Sequence, residues 1–145
     1  MKILLPITVV AFETDFGGVV SNTRYLEYIE RGRYALLHAA GLRITRLWEE
    51  HGVQPVVRRV EVDYLGFARH EDELELEAAT GEHSRSSARL HYTLQRAQDG
   101  ALLMRAVQTV AFINARMRPS RVPAWFVAAL AAEGPLASTC AHEEA

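Results

Sequence analysis

Residues 12–33 read FETDFGGVVSNTRYLEYIERGR, and they join a short apolar strand to a long helix through an acid and two glycines. Upstream, β-branched and small residues alternate from Ile7 to Phe12, which predicts a strand with both faces at least partly covered. Gly17 and Gly18 give the backbone turn freedom that no residue with a Cβ has. The strand should therefore break at Asp15, next to the start of the helix.

The residues after the glycines have the periodicity of an amphipathic helix. Small and apolar side chains recur at three- and four-residue spacing, at Tyr25, Tyr28, Ile29, Gly32, Leu36, Ala39 and Ala40. Asn22 or Thr23 is the best N-cap candidate, and Gly41 stands at the usual C-terminal stop. The pattern predicts one helix between these positions.

The position of Asp15 has a chemical consequence. The first N–H groups of a helix have no partner in the helix, so they can polarise a carbonyl or hold an oxyanion. Asp15 as a base and the amides of Asn22 and Thr23, in a turn shaped by Gly18, would then converge on one point. The plainer interpretation is that Asp15 only caps the turn, and for an isolated Asp-x-x-Gly that interpretation would prevail.

The whole string resembles the signature of hotdog-fold thioesterases of the 4-hydroxybenzoyl-CoA thioesterase type, also called acyl-CoA thioester hydrolases. That signature has Thr-Asp, two spacers, a Gly, two residues that are often Val, a polar pair, then a Tyr and a helix with Glu and Arg. These places are held here by Thr14, Asp15, Gly18, Val19, Val20, Tyr25, Glu30 and Arg33, with Asn22 where many members have His or Asn. The chain departs from the pattern at Ser21 and Arg24, which flank the candidate site.

The resemblance implies the hotdog fold, an α+β architecture in which a curled antiparallel sheet of about five strands wraps around one long helix. It also implies hydrolysis of an acyl-CoA thioester, with Asp15 as general base or as nucleophile. The side chain of Asn22 would orient water or substrate, or cap the helix. Members pair their sheets edge to edge as homodimers with each site at the interface, and often form homotetramers. CoA would be part of the substrate, and no further cofactor is expected.

Beyond the first helix, the pattern predicts a short helix and four strands. The short helix covers residues 44–51, and the strands cover 53–64, 73–78, 87–97 and 101–114, with a hairpin turn at Asp99-Gly100. Glu73, Glu75 and Glu77 alternate with apolar residues, which is typical of a solvated strand face and not of an acid/base array. The last strand is apolar on both faces, which predicts a central strand buried on both sides. Pro119 should end the sheet, and Pro123 should open a last helix that packs on the sheet edge or reaches another subunit.

A CoA thioester carries a 3′-phosphate and a pyrophosphate, so arginines near the mouth of the site are candidate ligands. The candidate substrate-binding residues are Tyr25, Arg58, Arg59, Ser87, Arg116, Arg118 and Arg121. The segment ARMRPSR is favoured because three arginines beside prolines form a rigid, positive loop, although a solvated strand end would have the same composition. An acyl carrier protein, which presents acidic helices, would use the same patch.

Length and composition limit the other function classes. The chain has 145 residues, of which 49% are hydrophobic, and a net charge of −2. This predicts a single domain over residues 1–133 with a flexible tail over 134–145, and no basic field for nucleic acid. No apolar run approaches the roughly 20 residues of a membrane span, and the N-terminal run continues directly into a strand. A cytoplasmic protein with no membrane partner is expected.

Other kinds of site lack their motifs. The sequence has no Gly-x-Ser-x-Gly, no phosphate-binding glycine loop and no His-x-x-x-His, and its six histidines have no ligand spacing, so no metal is expected. The lone Cys140 supports neither a disulfide framework nor a nucleophile. Two alternatives to an enzyme remain: a non-catalytic acyl-CoA or acyl-carrier-protein binding module, and a purely structural interaction subunit. Asp15 with its glycine turn favours the enzyme.

Overall fold

One long helix packed against an antiparallel sheet forms the centre of the molecule. The computed structural model describes residues 1–132, so the tail expected over 134–145 lies outside the described residues. The elements are β1 (Lys2–Thr8), α1 (Asn22–Ala39), α2 (Ile44–His51), β2 (Val53–Tyr64), β3 (Glu73–His83), β4 (Ala88–Arg96), β5 (Leu102–Asn114), β6 (Pro119–Ser120) and α3 (Ala124–Ala131). A 3₁₀ turn, Ala11–Glu13, follows β1.

The sheet has the strand order β1-β3-β4-β5-β2, and the short β6 pairs with β5. All strand pairs are antiparallel. α1 packs across β1, β3 and β4, as the curled sheet around one helix requires. The expected fold class is thus confirmed, with six strands where about five were predicted. β2, twelve residues long, forms one edge of the sheet.

The buried face of α1 is the predicted one up to Leu36, after which Leu37 is buried and the predicted Ala39 is exposed. Tyr28 and Leu36 are fully buried, and Tyr25 and Ile29 nearly so. Gly32 marks the closest approach of helix and sheet, since a Cβ there would lie 2.7 Å from the side chain of Leu76. The helix ends as predicted, with Gly41 in the left-handed conformation at φ 77°.

The structure corrects the predicted N-cap of α1. The N-cap is Ser21, which has extended backbone angles, and Asn22 and Thr23 are already inside the first helical turn. All three are polar residues of similar capping propensity, so the sequence alone does not separate them. The alternative role of Asn22 as a helix cap is therefore wrong.

The first strand is shorter than predicted. β1 ends at Thr8, and the chain then forms the 3₁₀ turn, which leaves the side chain of Phe12 74% exposed. The turn forms because Glu13 accepts the N–H of Val10 with its own carboxylate, at 3.0 Å, in place of a strand partner. Alternation alone cannot reveal that competing hydrogen bond.

The end of the sheet differs from the prediction in two ways. β5 buries one face, with Met104 and Phe112 at 0% exposure, whereas Arg105 on the other face is exposed in this chain. Pro119 does not end the sheet, because the chain turns back after Asn114 and Pro119 pairs with Ile113. α3 then packs on the sheet through Phe126, whose ring centroid lies 4.8 Å from that of Phe112. Within residues 1–132, no helix is long and apolar enough to span a bilayer.

Candidate active site

Asp15 lies in a tight hairpin, residues 14–20, which we call the Asp15 hairpin. Its N–H donates to the carbonyl of Val19 at 2.9 Å, and its own carbonyl accepts the N–H of Gly18 at 3.0 Å. Gly18 closes the loop in the left-handed conformation, at φ 74°, which a residue with a Cβ adopts only under strain. This local geometry holds the backbone of Asp15 in one place.

The carboxylate of Asp15 is exposed but oriented. Its Oδ1 accepts the N–H of Gly17 at 2.8 Å, so the turn-capping interpretation describes part of its role. Within residues 1–132, Oδ2 accepts no hydrogen bond. One oxygen thus fixes the side chain while the other remains available to water or a substrate.

The N-terminus of α1 follows the hairpin directly. The N–H of Arg24 donates to the carbonyl of Ser21 at 2.9 Å, while the amides of Asn22 and Thr23 have no acceptor among the described residues. The side chains of Asn22 and Thr23 are exposed. Tyr64 at the end of β2 fixes this turn, because its hydroxyl donates to the carbonyl of Asn22 at 3.1 Å. Two open amides therefore follow the Asp15 hairpin in the chain.

A connecting segment, residues 65–72, is hydrogen-bonded to the end of the hairpin. Val20 donates its N–H to the carbonyl of Ala68 at 2.8 Å, and Ala68 donates its N–H to the hydroxyl of Tyr25 at 3.3 Å. Tyr25 is only 3% exposed, so in this chain it supports the hairpin and does not face a pocket. Its burial raises the pKa of the phenol above its usual value.

Arg96 anchors the same segment, and sequence reasoning did not single it out. Its guanidinium donates to the carbonyl of Phe67 at 2.6 Å and to Oδ2 of Asp72 at 3.2 Å. The same carboxylate oxygen accepts the N–H of Arg69 at 2.9 Å. An arginine on β4 near a hairpin turn gave no signal of this role, since the contact depends on strand register.

Glu13 is the second residue that sequence reasoning missed. It is 6% exposed, and its Oε1 accepts both the N–H of Val10 and the hydroxyl of Tyr28, each at 3.0 Å. Burial, together with the negative charge of Glu13, raises the pKa of Tyr28 well above its usual value. The only signal in the sequence is a second acid, two positions before Asp15 and directly after Phe12.

Large apolar side chains are exposed around the Asp15 hairpin. They are Phe12, Phe16, Tyr64, Leu65 and Phe67, between 47% and fully exposed. Apolar patches of this kind on a soluble protein mark a binding surface for a ligand or another chain. The apolar part of a substrate, or a second copy of the chain, would cover them.

The predicted phosphate-binding arginines lie at the other end of the sheet. In the register of β2 and β5, Val53 pairs with Asn114, just before the Arg116–Arg118 turn, while Tyr64 beside the site pairs with Met104. At about 3.3 Å per residue, β2 separates the two ends by roughly 35 Å. Arg121 follows β6 at the same distant end. One chain therefore does not bring these arginines to Asp15.

The other predicted ligands also lie apart from Asp15. Ser87 is in the turn after β3, where its N–H donates to Oγ of Ser84 at 3.2 Å, and β3 leads away from the hairpin. Arg58 and Arg59 are exposed near the middle of β2, and Arg59 pairs with Glu61 at 2.8 Å. Among the described residues, no group of His, Cys, Asp and Glu is placed to hold a metal ion.

Comparisons with known proteins match most of the chain. The family model of the thioesterase-like superfamily matches residues 9–130. Acyl-CoA thioesterase YbgC of Haemophilus influenzae is 30% identical over 119 residues, or 81% of this chain and 86% of the relative. A probable thioesterase from Bartonella henselae is 27% identical with a TM-score of 0.77, covering 85% of this chain and 100% of the other. A 4-hydroxybenzoyl-CoA thioesterase variant with bound 4-hydroxybenzoyl-CoA is 20% identical with a TM-score of 0.83, covering 89% and 98%.

The chain belongs to the thioesterase-like superfamily, and its fold is the hotdog fold that the Asp15 motif implies. Within that superfamily it is a thioester hydrolase, as its sequence relatives are. The match begins at Val9 and ends at Leu130, so it includes the Asp15 hairpin, α1 and the whole of β2.

Proposed function

We propose that this chain hydrolyses acyl-CoA thioesters to a free acid and CoA, with the Asp15 hairpin and the start of α1 as the reacting centre. One observation carries the proposal: the hairpin that holds a carboxylate with one fixed and one open oxygen is followed directly by a helix start with two open amides. The acyl-CoA thioesterase name of the YbgC relative supports the substrate class.

The chemistry divides between the carboxylate and the helix. Oδ2 of Asp15 takes a proton from water as the water oxygen attacks the thioester carbon. The carbonyl oxygen becomes an oxyanion, and the amides of Asn22 and Thr23 would donate to it. Collapse of the intermediate breaks the C–S bond and releases CoA as a thiolate, which is a good leaving group because the pKa of a thiol is about 8.5. The proton on Asp15 then passes to the thiolate or to solvent, which restores the carboxylate.

A nucleophilic role of Asp15 uses the same atoms. Oδ2 attacks the thioester carbon, CoA leaves, and water then hydrolyses the resulting mixed anhydride. The side chain of Asn22, which is exposed, would orient that water or the acyl group. The apolar surface formed by Phe16, Leu65 and Phe67 would take the acyl group.

We infer that the working unit is at least a homodimer. β2 is a long sheet edge, and its apolar residues Val57, Val60 and Tyr64 are between 37% and 47% exposed. Soluble proteins rarely leave such an edge unpaired, and a two-fold axis would pair it with itself in antiparallel fashion. Pairing of these dimers into a tetramer is the further expectation from the family.

The dimer also accounts for the distant arginines. Antiparallel pairing of two β2 strands places the Val53 end of one copy beside the Tyr64 end of the other. The Arg116–Arg118 turn and Arg121 of one copy would then approach the Asp15 hairpin of the other, with Arg58 and Arg59 near the axis. Cations supplied in this way would bind the phosphates of CoA or an acidic carrier protein.

The test is thiol release from a panel of short, long and aromatic acyl-CoAs, and from the matching acyl carrier protein thioesters. Turnover of CoA thioesters supports the proposal and names the acyl class. Turnover of carrier-protein thioesters alone would favour a carrier-protein thioesterase. Tight binding of acyl-CoA with no thiol release above the rate without protein would contradict hydrolysis and favour a binding module.

A further inference from the structure

Glu13 is a buried acid that the proposed chemistry does not use. Burying a carboxylate is costly unless donors compensate it, and Glu13 has two, the N–H of Val10 and the hydroxyl of Tyr28. Its backbone carbonyl accepts a third donor, the N–H of Ser21, at 3.0 Å. One residue thus joins the end of β1, the second turn of α1 and the N-cap of α1.

These three contacts lie on both sides of the candidate site. Tyr28 is 0% exposed, so the core of the protein fixes its hydroxyl. Glu13 connects the hydroxyl of Tyr28 to the backbone two residues before Asp15. Its carbonyl also binds the N–H of Ser21, which is the residue before the open amides. No other described side chain bonds both to α1 and to the segment that enters the Asp15 hairpin.

We propose that Glu13 is a positioning residue, which holds the Asp15 carboxylate and the amides at the start of α1 in the relative positions that the reaction needs. This inference rests on the proposed function of that site. Glu13 touches neither substrate nor reacting atoms, and it acts through the backbone on either side of the hairpin. Misplacement of reacting groups by about 1 Å costs on the order of 100-fold in rate, so such a residue matters for kcat.

A second tyrosine gives a matched control. Tyr92 is also buried, and its hydroxyl donates to Oε1 of Gln108 at 2.9 Å, beneath α1 and away from the hairpin. Tyr92→Phe and Tyr28→Phe each remove one buried hydroxyl from one hydrogen bond. Each should lower the stability of the fold, because a buried acceptor loses one donor. Only Tyr28→Phe touches the proposed positioning contact.

The experiment compares Glu13→Ala, Glu13→Gln, Tyr28→Phe and Tyr92→Phe. Two quantities are measured: kcat and KM for the best acyl-CoA, and amide hydrogen exchange of Gly18 and Ser21 by NMR. We expect Glu13→Ala and Tyr28→Phe to lower kcat roughly 10- to 100-fold with KM changed less than about threefold, and to speed exchange at both amides. Glu13→Gln should retain most of the rate, because an amide oxygen can still accept both donors. Tyr92→Phe should lower stability without these effects.

Two results would overturn the inference. In the first, Tyr28→Phe and Tyr92→Phe lower kcat by the same factor. In the second, exchange at Gly18 and Ser21 is unchanged in Glu13→Ala. If the wild-type protein releases no thiol from any thioester, the proposed function fails, but the exchange rates still decide whether Glu13 positions the hairpin.

Discussion

At the scale of single residues, the site depends on backbone geometry as much as on side-chain chemistry. Gly18 has φ 74°, and a Cβ added there would meet nothing within 4 Å among residues 1–132. A substitution is therefore limited by backbone strain and not by space. The strain would act on the hairpin that carries Asp15, so its effect on the rate should exceed its effect on stability.

Gly18→Ala tests this point against a control in the same conformation. Gly100, in the turn between β4 and β5, has φ 68° and equally open surroundings. We expect each alanine variant to lose about 1 kcal/mol of unfolding free energy, since both force a Cβ into the left-handed region. Only Gly18→Ala should also lower kcat, by roughly tenfold. Chemical denaturation measures the loss of stability in both variants. If their kcat values are equal, the geometry of the hairpin does not matter for the rate.

Sequence patterns were informative where one element decides the outcome. The structure confirms the helix predicted from the periodicity of α1, the glycine that ends it, Gly41, and the turn at Gly100. Glu13 was missed because its partner hydroxyl is fifteen residues away on another element. The distance of Arg116 from Asp15 follows from strand register, which no local pattern in the sequence reports.

At the scale of elements, β2 is the edge on which the dimer depends. Val60 lies near its middle with its side chain 37% exposed, beside the register shift between Val57 and Arg59. In an antiparallel pair about a two-fold axis, a residue near the middle of the strand lies close to its own copy. Like charges there repel each other.

Val60→Lys should therefore weaken the dimer. Two lysines would face each other near the axis, and lysine on an edge strand opposes pairing. Leu26→Lys is the control, since Leu26 is 41% exposed and belongs to α1, not to the edge strand β2. Light scattering at micromolar concentration should show dissociation for Val60→Lys alone. A wild-type monomer under the same conditions would contradict a site in which the arginines of one copy approach the Asp15 hairpin of the other.

At the scale of the whole molecule, buried phenols set the alkaline limit of stability. Burial is the main cause that raises the pKa values of Tyr25, Tyr28 and Tyr92 above the usual tyrosine value of about 10. An unfolded tyrosine releases its proton near its usual pKa, whereas the folded phenol keeps it. Above that pH the unfolded state binds fewer protons, so stability must fall as the pH rises.

We expect the free energy of unfolding to be independent of these tyrosines below about pH 9 and to fall above about pH 10. The limiting slope of the unfolding free energy against pH is about 1.4 kcal/mol per pH unit for each buried tyrosine. Urea denaturation at several pH values would measure it. Tyr92→Phe should reduce the slope by one tyrosine, whereas Tyr34→Phe should not, since Tyr34 is 56% exposed. An unchanged slope in Tyr92→Phe would contradict a raised pKa of Tyr92 in the folded protein.

The most direct test of the proposed centre is kcat for Asp15→Asn beside Asp99→Asn, on the acyl-CoA that the wild type hydrolyses best. The two aspartates share a turn geometry, because each accepts with Oδ1 the N–H two residues later, Gly17 at 2.8 Å and Ala101 at 3.0 Å. They differ at Oδ2, which in Asp99 accepts the guanidinium of Arg96 at 2.9 Å and in Asp15 is open among the described residues. An asparagine keeps that turn bond at either site but is neither a base nor a nucleophile. We predict a loss of roughly 10²- to 10⁴-fold for Asp15→Asn and less than about twofold for Asp99→Asn. Equal rates for the folded variants would mean that Asp15 is only a turn residue and that the reacting group lies elsewhere.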